Sequence, residues 1–136
     1  MKVFLDASAL VPLVIPRDQW RLRLLGHLNS LQAAGSVQLA TSNWTFYEAV
    51  AIAKRAGHQA PLRLRQWLSE QASLVAVTEP TEAEAVRRFF AWADKTASVV
   101  DHANLLTAID LGCEAVLSFD DDFVQIAAGT GVRVLR

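Results

Sequence analysis

Apolar residues along the chain gather in five short runs, separated by stretches with helical spacing. Lys2 to Leu5 is the first run, and the dense apolar segment Ala7 to Ile15, interrupted by Pro12 and closed by Pro16, reads as a turn and short helix. Arg17 to Ala34 spaces Trp20, Leu24, Leu28 and Leu31 by four, four and three, which predicts an amphipathic helix ended by Gly35. Val37 to Ala40 is the second strand. Thr41-Ser42-Asn43 is rich in N-cap residues and introduces a helix over Trp44 to Ala56, stopped by Gly57. Pro61 suits the first turn of a further helix running to about Ala72, with Leu64, Trp67 and Leu68 on one face. Leu74 to Val77 is the third strand. Thr81-Glu82-Ala83-Glu84 has the form of a capping box, opening a helix with Val86, Phe89, Phe90 and Ala93 inward. Val99 to Leu111 is helical and ends at Gly112; Ala115 to Phe119, Asp121 to Ala128 and Val132 to Leu135 read as strand, short helix and strand.

Five short apolar strands alternating with helices predict an α/β chain: a three-layer α/β/α sandwich around a short, mainly parallel sheet of about five strands. Its 136 residues fit one domain, and no repeat or linker divides them. With 52% hydrophobic and 20% charged residues the composition is that of a folding chain, not a disordered one. The single Cys113 excludes an internal disulfide and a cysteine-built zinc site, and reads as a small buried hydrophobe. Asp6 arrives too soon for a signal peptide, and Ala7 to Pro16 is too short to span a membrane, so a soluble cytoplasmic protein is expected.

In a parallel sheet ligands bind at the carboxyl ends of the strands, which directs attention to four acids. Asp6 ends the first strand and Asp120 the fourth, although either also suits an N-cap. Glu48 lies in an apolar stripe with Trp44 and Ile52 one turn away on either side and Ala51 beside it, where a carboxylate needs a partner or a raised pKa. Asp101 shares a face with Leu105 and Ala108 near a helix start, a position equally compatible with capping. Several carboxylates brought together repel one another unless a divalent cation neutralises them, and a hard all-oxygen set favours Mg²⁺ or Mn²⁺.

Phe4-Leu5-Asp6-Ala7-Ser8-Ala9-Leu10, Thr41-Ser42-Asn43-Trp44-Thr45-Phe46-Tyr47-Glu48, Asp101 at the start of a late helix, and Leu117-Ser118-Phe119-Asp120-Asp121-Asp122-Phe123 together resemble the PIN-domain ribonucleases, in particular the VapC toxins of bacterial toxin–antitoxin pairs. The resemblance spans essentially the whole chain. It implies a PIN-like fold and a metal-dependent endoribonuclease with Asp6, Glu48, Asp101 and Asp120 as the acidic set, and Asp122 as an alternative or additional metal ligand. Ser8 matches the hydroxyl position of the family's opening motif, where it would orient a carboxylate or a water. Asn104, one turn beyond Asp101, suits either the same site or a structural hydrogen bond, and Asp121 reads as solvent-facing. A homodimer and a cognate antitoxin protein are the partners the family implies, beside an RNA substrate.

With four of the 14 acids committed to a site, ten remain against 13 bases, a surplus suited to phosphate. Arg17, Lys54 and Arg55 are the leading RNA-binding candidates, followed by Arg21, Arg23, Arg63 and Arg65. His27 and His58 read as surface residues, and His102 as a neighbour of the site and not its base. Two other classes compete: a Mg²⁺-dependent phosphatase or phosphotransfer domain, and a catalytically silent binding module. The first ordinarily carries an Asp-x-Asp pair after the first strand and a later lysine, whereas position 8 is Ser and no lysine follows Lys95. The second is disfavoured by the intact acidic set.

Overall fold

The computed structural model, which describes residues 1–93 and 96–136, runs Lys2–Leu5 (β1), Ala7–Val14 (α1), Arg21–Ala33 (α2), Gln38–Ser42 (β2), Asn43–Ala53 (α3) and Gln59–Gln71 (α4). It continues through Ala72–Val75 (β3), Glu79–Ala91 (α5), Val99–Asp110 (α6), Ala115–Leu117 (β4), Asp121–Ala127 (α7) and Arg133–Leu135 (β5). All strand pairs are parallel, and the order across the sheet is β3-β2-β1-β4-β5. The chain winds first to one side of β1 and then to the other, so the strand order reverses between β1 and β4. At such a switch point the two outgoing connections diverge and leave a crevice.

The short strands are apolar on both sides because helices cover both faces. Val3, Leu5, Leu39, Ala115 and Leu117 face a layer built by α1, α3 and α4, with Leu10, Ala49, Leu64 and Leu68 between them. Phe4 and Val116 point the other way, against Leu105 and Ala108 of α6 and Phe123 and Ile126 of α7. The three-layer sandwich expected from the strand–helix alternation is the observed architecture. No helix among the described residues is long and apolar enough to cross a membrane.

Helix α1 ends where Pro16 lacks the N–H that would have reached the Pro12 carbonyl. Arg21 supplies the missing donors, its Nη1 reaching Pro12 O at 2.8 Å and Leu13 O at 2.9 Å. That commitment ties one guanidinium nitrogen of Arg21 to the backbone of α1. It also explains why α2 begins at Arg21 and not at Arg17: the Asp18 side chain accepts from the Trp20 N–H at 2.8 Å and shapes a turn first.

The main departure from expectation is α5. Its N-cap is Thr78, whose hydroxyl accepts from the Thr81 N–H, and the expected box at Thr81 to Glu84 is not formed. Thr81 instead lies inside the helix and donates to Asp110 of α6 at 3.2 Å. Of the side chains expected inward, Phe90 is 80% exposed, Val86 and Phe89 are also exposed, and Ala93 lies beyond the helix. The cause is geometric, because α5 packs on α6 and not on the sheet, so only the narrow line through Thr81 and Ala85 is covered. A box does form at α6, between Ser98 and Asp101. β3 also falls two residues earlier than Leu74 to Val77.

Thr78→Ala should destabilise the protein by about 1 kcal/mol, the usual cost of a lost N-cap, while Thr78→Ser should stay near wild type. Urea unfolding of the two variants decides the point; equal stability would return the helix start to Thr81.

Candidate active site

β1 delivers Asp6 to the switch point. Its N–H pairs with Leu117 O of β4 at 3.1 Å, which sets Asp6 beside Ser118 across the ladder. The carboxylate is only 4% exposed, so its oxygens must find donors inside the protein. Oδ2 accepts from Ser8 Oγ at 3.0 Å and Ser118 Oγ at 2.9 Å, and Oδ1 from Asn104 Nδ2 at 3.0 Å. Both serines are aimed by backbone donors: the Phe119 N–H reaches Ser8 Oγ at 2.9 Å and the Asp120 N–H reaches Ser118 Oγ at 3.2 Å. Asn104, fully buried, takes its orientation from Thr45, whose hydroxyl donates to Asn104 Oδ1 at 2.6 Å.

Asp120 follows β4 and caps α7, Oδ1 accepting from the Asp122 N–H at 2.9 Å. Asp101 is the third residue of α6, and its Oδ2 accepts from the Ser98 N–H at 2.8 Å. Glu48 sits in mid-α3, but not in the stripe expected of it. The buried line of α3 is Thr45, Ala49 and Ala53; Glu48 stands beside that line, exposed, with Ala51 exposed as well. Asp6, Glu48, Asp101 and Asp120 all line one pocket of about 290 Å³, completed by Ala7, Ser8, Val11, Ile52 and the turn Asp18-Gln19-Trp20. A larger hollow of about 500 Å³ lies at the amino ends of β1, β2 and β3 and carries no carboxylate.

The other candidates lie outside the lining of this pocket. Asp122 lies outside its lining, with Oδ1 bonded to the Thr96 hydroxyl. Asp121 is solvent-facing and ion-paired with Arg136. Arg17 is exposed beside Asp18 on the rim, and Lys54 and Arg55 are exposed in the 3-10 turn after α3, following Ile52. His58 is exposed, and His27 touches the Arg136 carbonyl at 2.7 Å. His102 is buried against Trp92, away from the pocket, with Nε2 lacking a partner among the described residues and its pKa lowered by burial and then by Arg88.

Asp18, Ser118, Ser42 and Thr45 were not among the residues expected at the site. Asp18 adds a fifth acid to the rim, and Trp20, expected in the core stripe of α2, stacks on Phe119 at 5.0 Å where it borders the pocket. Ser118 carried a signal, since it stands two residues before Asp120 as Ser8 stands two after Asp6.

The PIN domain model matches residues 3–129. The chain belongs to the PIN-domain family. Solved PIN folds similar to it include the sarcin-ricin loop cleaving toxin VapC20 of Mycobacterium tuberculosis, with TM-score 0.78 and 25% identity over 96% of this chain and 98% of that one. VapBC2 of Rickettsia felis bound to promoter DNA has TM-score 0.70 and 13% identity, covering 98% and 97%. A toxin–antitoxin complex of Klebsiella pneumoniae has TM-score 0.69 and 21% identity, covering 96% and 94%. None of the curated protein sequences compared with the chain matches it.

In this PIN domain no Lys or Arg is among the residues lining the pocket. The acids therefore feel one another. Burial, followed by Asp6 and Asp120, raises the pKa of Glu48; burial raises that of Asp120, with Asp122, Asp6 and Asp121 adding to it. Asp101 is pushed up to about 6, chiefly by burial, with Asp6 and Asp120 adding to the shift against the opposing Ser98 bond. No three His, Cys, Asp or Glu side chains among the described residues are grouped tightly enough to enclose an ion as they stand. The acids share a pocket and a field.

A carboxyl whose pKa is raised by folding contributes stability that is complete below its unfolded value and lost as pH rises through the folded one. For Asp101 that window runs from about 4 to about 6 and spans about 3 kcal/mol. Asp101→Asn stays neutral and can still accept from the Ser98 N–H. In chelator, its stability should gain on wild type by about 2 kcal/mol between pH of about 4 and about 7. Parallel stability curves would show that folding does not raise the pKa of Asp101.

Proposed function

We propose that this PIN domain is a divalent-metal-dependent endoribonuclease, acting as the toxin of a toxin–antitoxin pair. The observation that carries this reading is the convergence of four carboxylates, from four different elements, on one pocket at the switch point of a parallel sheet, without a basic residue in its lining. An all-oxygen site of this kind suits Mg²⁺ or Mn²⁺. Asp6, Glu48, Asp101 and Asp120 are the residues that would hold the ion, and Asp120 is preferred to Asp122 because it alone of the two lines the pocket. A divalent cation, when bound there, offsets charge developing on a phosphate and makes water a competent nucleophile near neutral pH.

The protein's own part is placement. Ser8, Ser118 and Asn104 fix the Asp6 carboxylate, while the Ser98 and Asp122 N–H groups each hold one oxygen of Asp101 and Asp120. Arg17, next to the lining residue Asp18, and Lys54 and Arg55, just beyond the lining residue Ile52 in sequence, are exposed and would meet the phosphates flanking the cleaved bond, and no histidine is needed. Support for the RNA substrate comes from VapC20, a sarcin-ricin loop cleaving toxin of similar fold, and support for a protein partner from the toxin–antitoxin complexes among the similar structures. The uncovered apolar side chains Val86, Phe89 and Phe90 of α5 suit the partner surfaces of a homodimer and an antitoxin.

Cleavage of a mixed RNA pool with Mg²⁺, Mn²⁺ or chelator, with both new ends mapped, tests the reading. The expected products are a 5′-phosphate and a 3′-hydroxyl, formed only with metal. Asp120→Asn should reduce the rate by more than the roughly 10–100-fold typical of outer-sphere losses while still capping α7, and Asp6→Asn should do the same. Release of phosphate without internal cuts would favour a phosphatase, and wild-type turnover by either folded variant would sink the assignment.

A further inference from the structure

Asp6 has about four acceptor positions on its two oxygens. Two on Oδ2 are taken by Ser8 and Ser118, and one on Oδ1 by Asn104, so among the described residues the open position lies on Oδ1, the oxygen that Asn104 holds. The amide of Asn104 can donate there only if its own oxygen is turned away. Two hydroxyls from the start of α3 see to that: Thr45 Oγ1 at 2.6 Å and Ser42 Oγ at 3.3 Å both face Asn104 Oδ1. Ser42 is itself anchored by accepting from the Thr45 N–H at 3.1 Å. Thr45, Ser42 and Asn104 are all fully buried, so no water competes for these bonds.

The chain of contacts runs from α3 through α6 to the end of β1. Thr45 lies one turn before Glu48 on α3, and Asn104 one turn after Asp101 on α6. The strut therefore ties together the backbones that carry three of the four acids. Like charges would push these elements apart, and a buried hydrogen-bonded strut made of neutral groups resists this without adding a cation that would occupy the pocket.

We propose that Thr45, acting through Asn104, is a positioning residue that presents the open Oδ1 position of Asp6 to the metal and fixes α3 relative to it. The role rests on the metal-dependent reading above. It differs from simple packing in what it requires of position 45: a hydroxyl, not a volume. Val matches the shape of Thr and lacks the donor, while Ser keeps the donor and loses a methyl group.

The test is Mn²⁺ alone, titrated calorimetrically into the full chain, with RNA cleavage measured in parallel. Thr45→Val should bind Mn²⁺ about tenfold more weakly and Thr45→Ser within about twofold of wild type, an outer-sphere effect of ordinary size. Excess Mn²⁺ should restore cleavage by Thr45→Val, which no loss of an RNA contact would allow. If Thr45→Val fails to fold, Asn104→Ser carries the contrast, since its hydroxyl is too short to span Thr45 and Asp6 and Mn²⁺ binding must weaken. Wild-type affinity in whichever of these variants folds, or weakening in Thr45→Ser equal to that in Thr45→Val, overturns the positioning role while leaving the metal site intact. Wild-type protein that binds no Mn²⁺ overturns both this role and the metal-dependent reading.

Discussion

A carboxylate buried at the carboxyl end of the central strand, held among the described residues by neutral hydrogen-bond donors, is the constraint around which this PIN domain is organised. Asp6 could have been satisfied by an arginine, and the pair would then have been electrostatically complete and closed to further charge. Two serine hydroxyls and an amide satisfy its geometry and leave its charge uncompensated. The site is thus stable enough to form and still favours a cation. Every nearby acid inherits part of the consequence: burial is the main cause of the raised pKa values of Glu48, Asp101 and Asp120, and the Asp6 charge adds to each.

Backbone dipoles absorb part of this cost. Asp6 is the N-cap of α1, Asp120 the N-cap of α7 and Asp101 a first-turn residue of α6, so three of the four acids stand at helix N-termini. Each such placement contributes about 0.3–1 kcal/mol. Glu48 has no such support in mid-α3, and it is the acid left exposed to water. The division follows the donors: Asp6, Asp101 and Asp120 receive N–H groups or hydroxyls, and Glu48, without them, stays partly in solvent although its pocket side is desolvated enough to raise its pKa.

The sheet, its direction and the helices around it were legible because strand runs and caps are local signals. Asp6 and Asp120 were legible for the same reason, as polar residues where apolar runs stop. Glu48 was found through an incomplete argument: it looked anomalous in an apolar stripe, but the stripe that is buried is Thr45, Ala49 and Ala53. The inward face of α5 was misread because periodicity assumes a broad neighbour, and among the described residues α5 packs chiefly on α6. Least legible was the support of Asp6. Ser118 meets it from 112 positions away and Asn104 from 98, and a neutral polar residue in a sequence does not announce which distant group it will satisfy.

Capping and metal binding, which looked like competing explanations for these acids, are compatible because a carboxylate has two oxygens. In Asp101, Oδ2 closes the capping box with Ser98. In Asp120, Oδ1 caps α7. In Asp6, Oδ2 is saturated by serines while Oδ1 keeps an open position beside Asn104. Asp101 and Asp120 are each anchored through one oxygen and retain the other, and Asp6, anchored through both, retains acceptor capacity on Oδ1 among the described residues. Anchoring removes the rotamer freedom a ligand would otherwise lose on binding an ion, so ordering that would weaken the site is completed when the chain folds. Replacing Asp101 or Asp120 by Asn keeps an oxygen for the anchor and removes the charge, which is why folding and metal affinity should separate at these two positions.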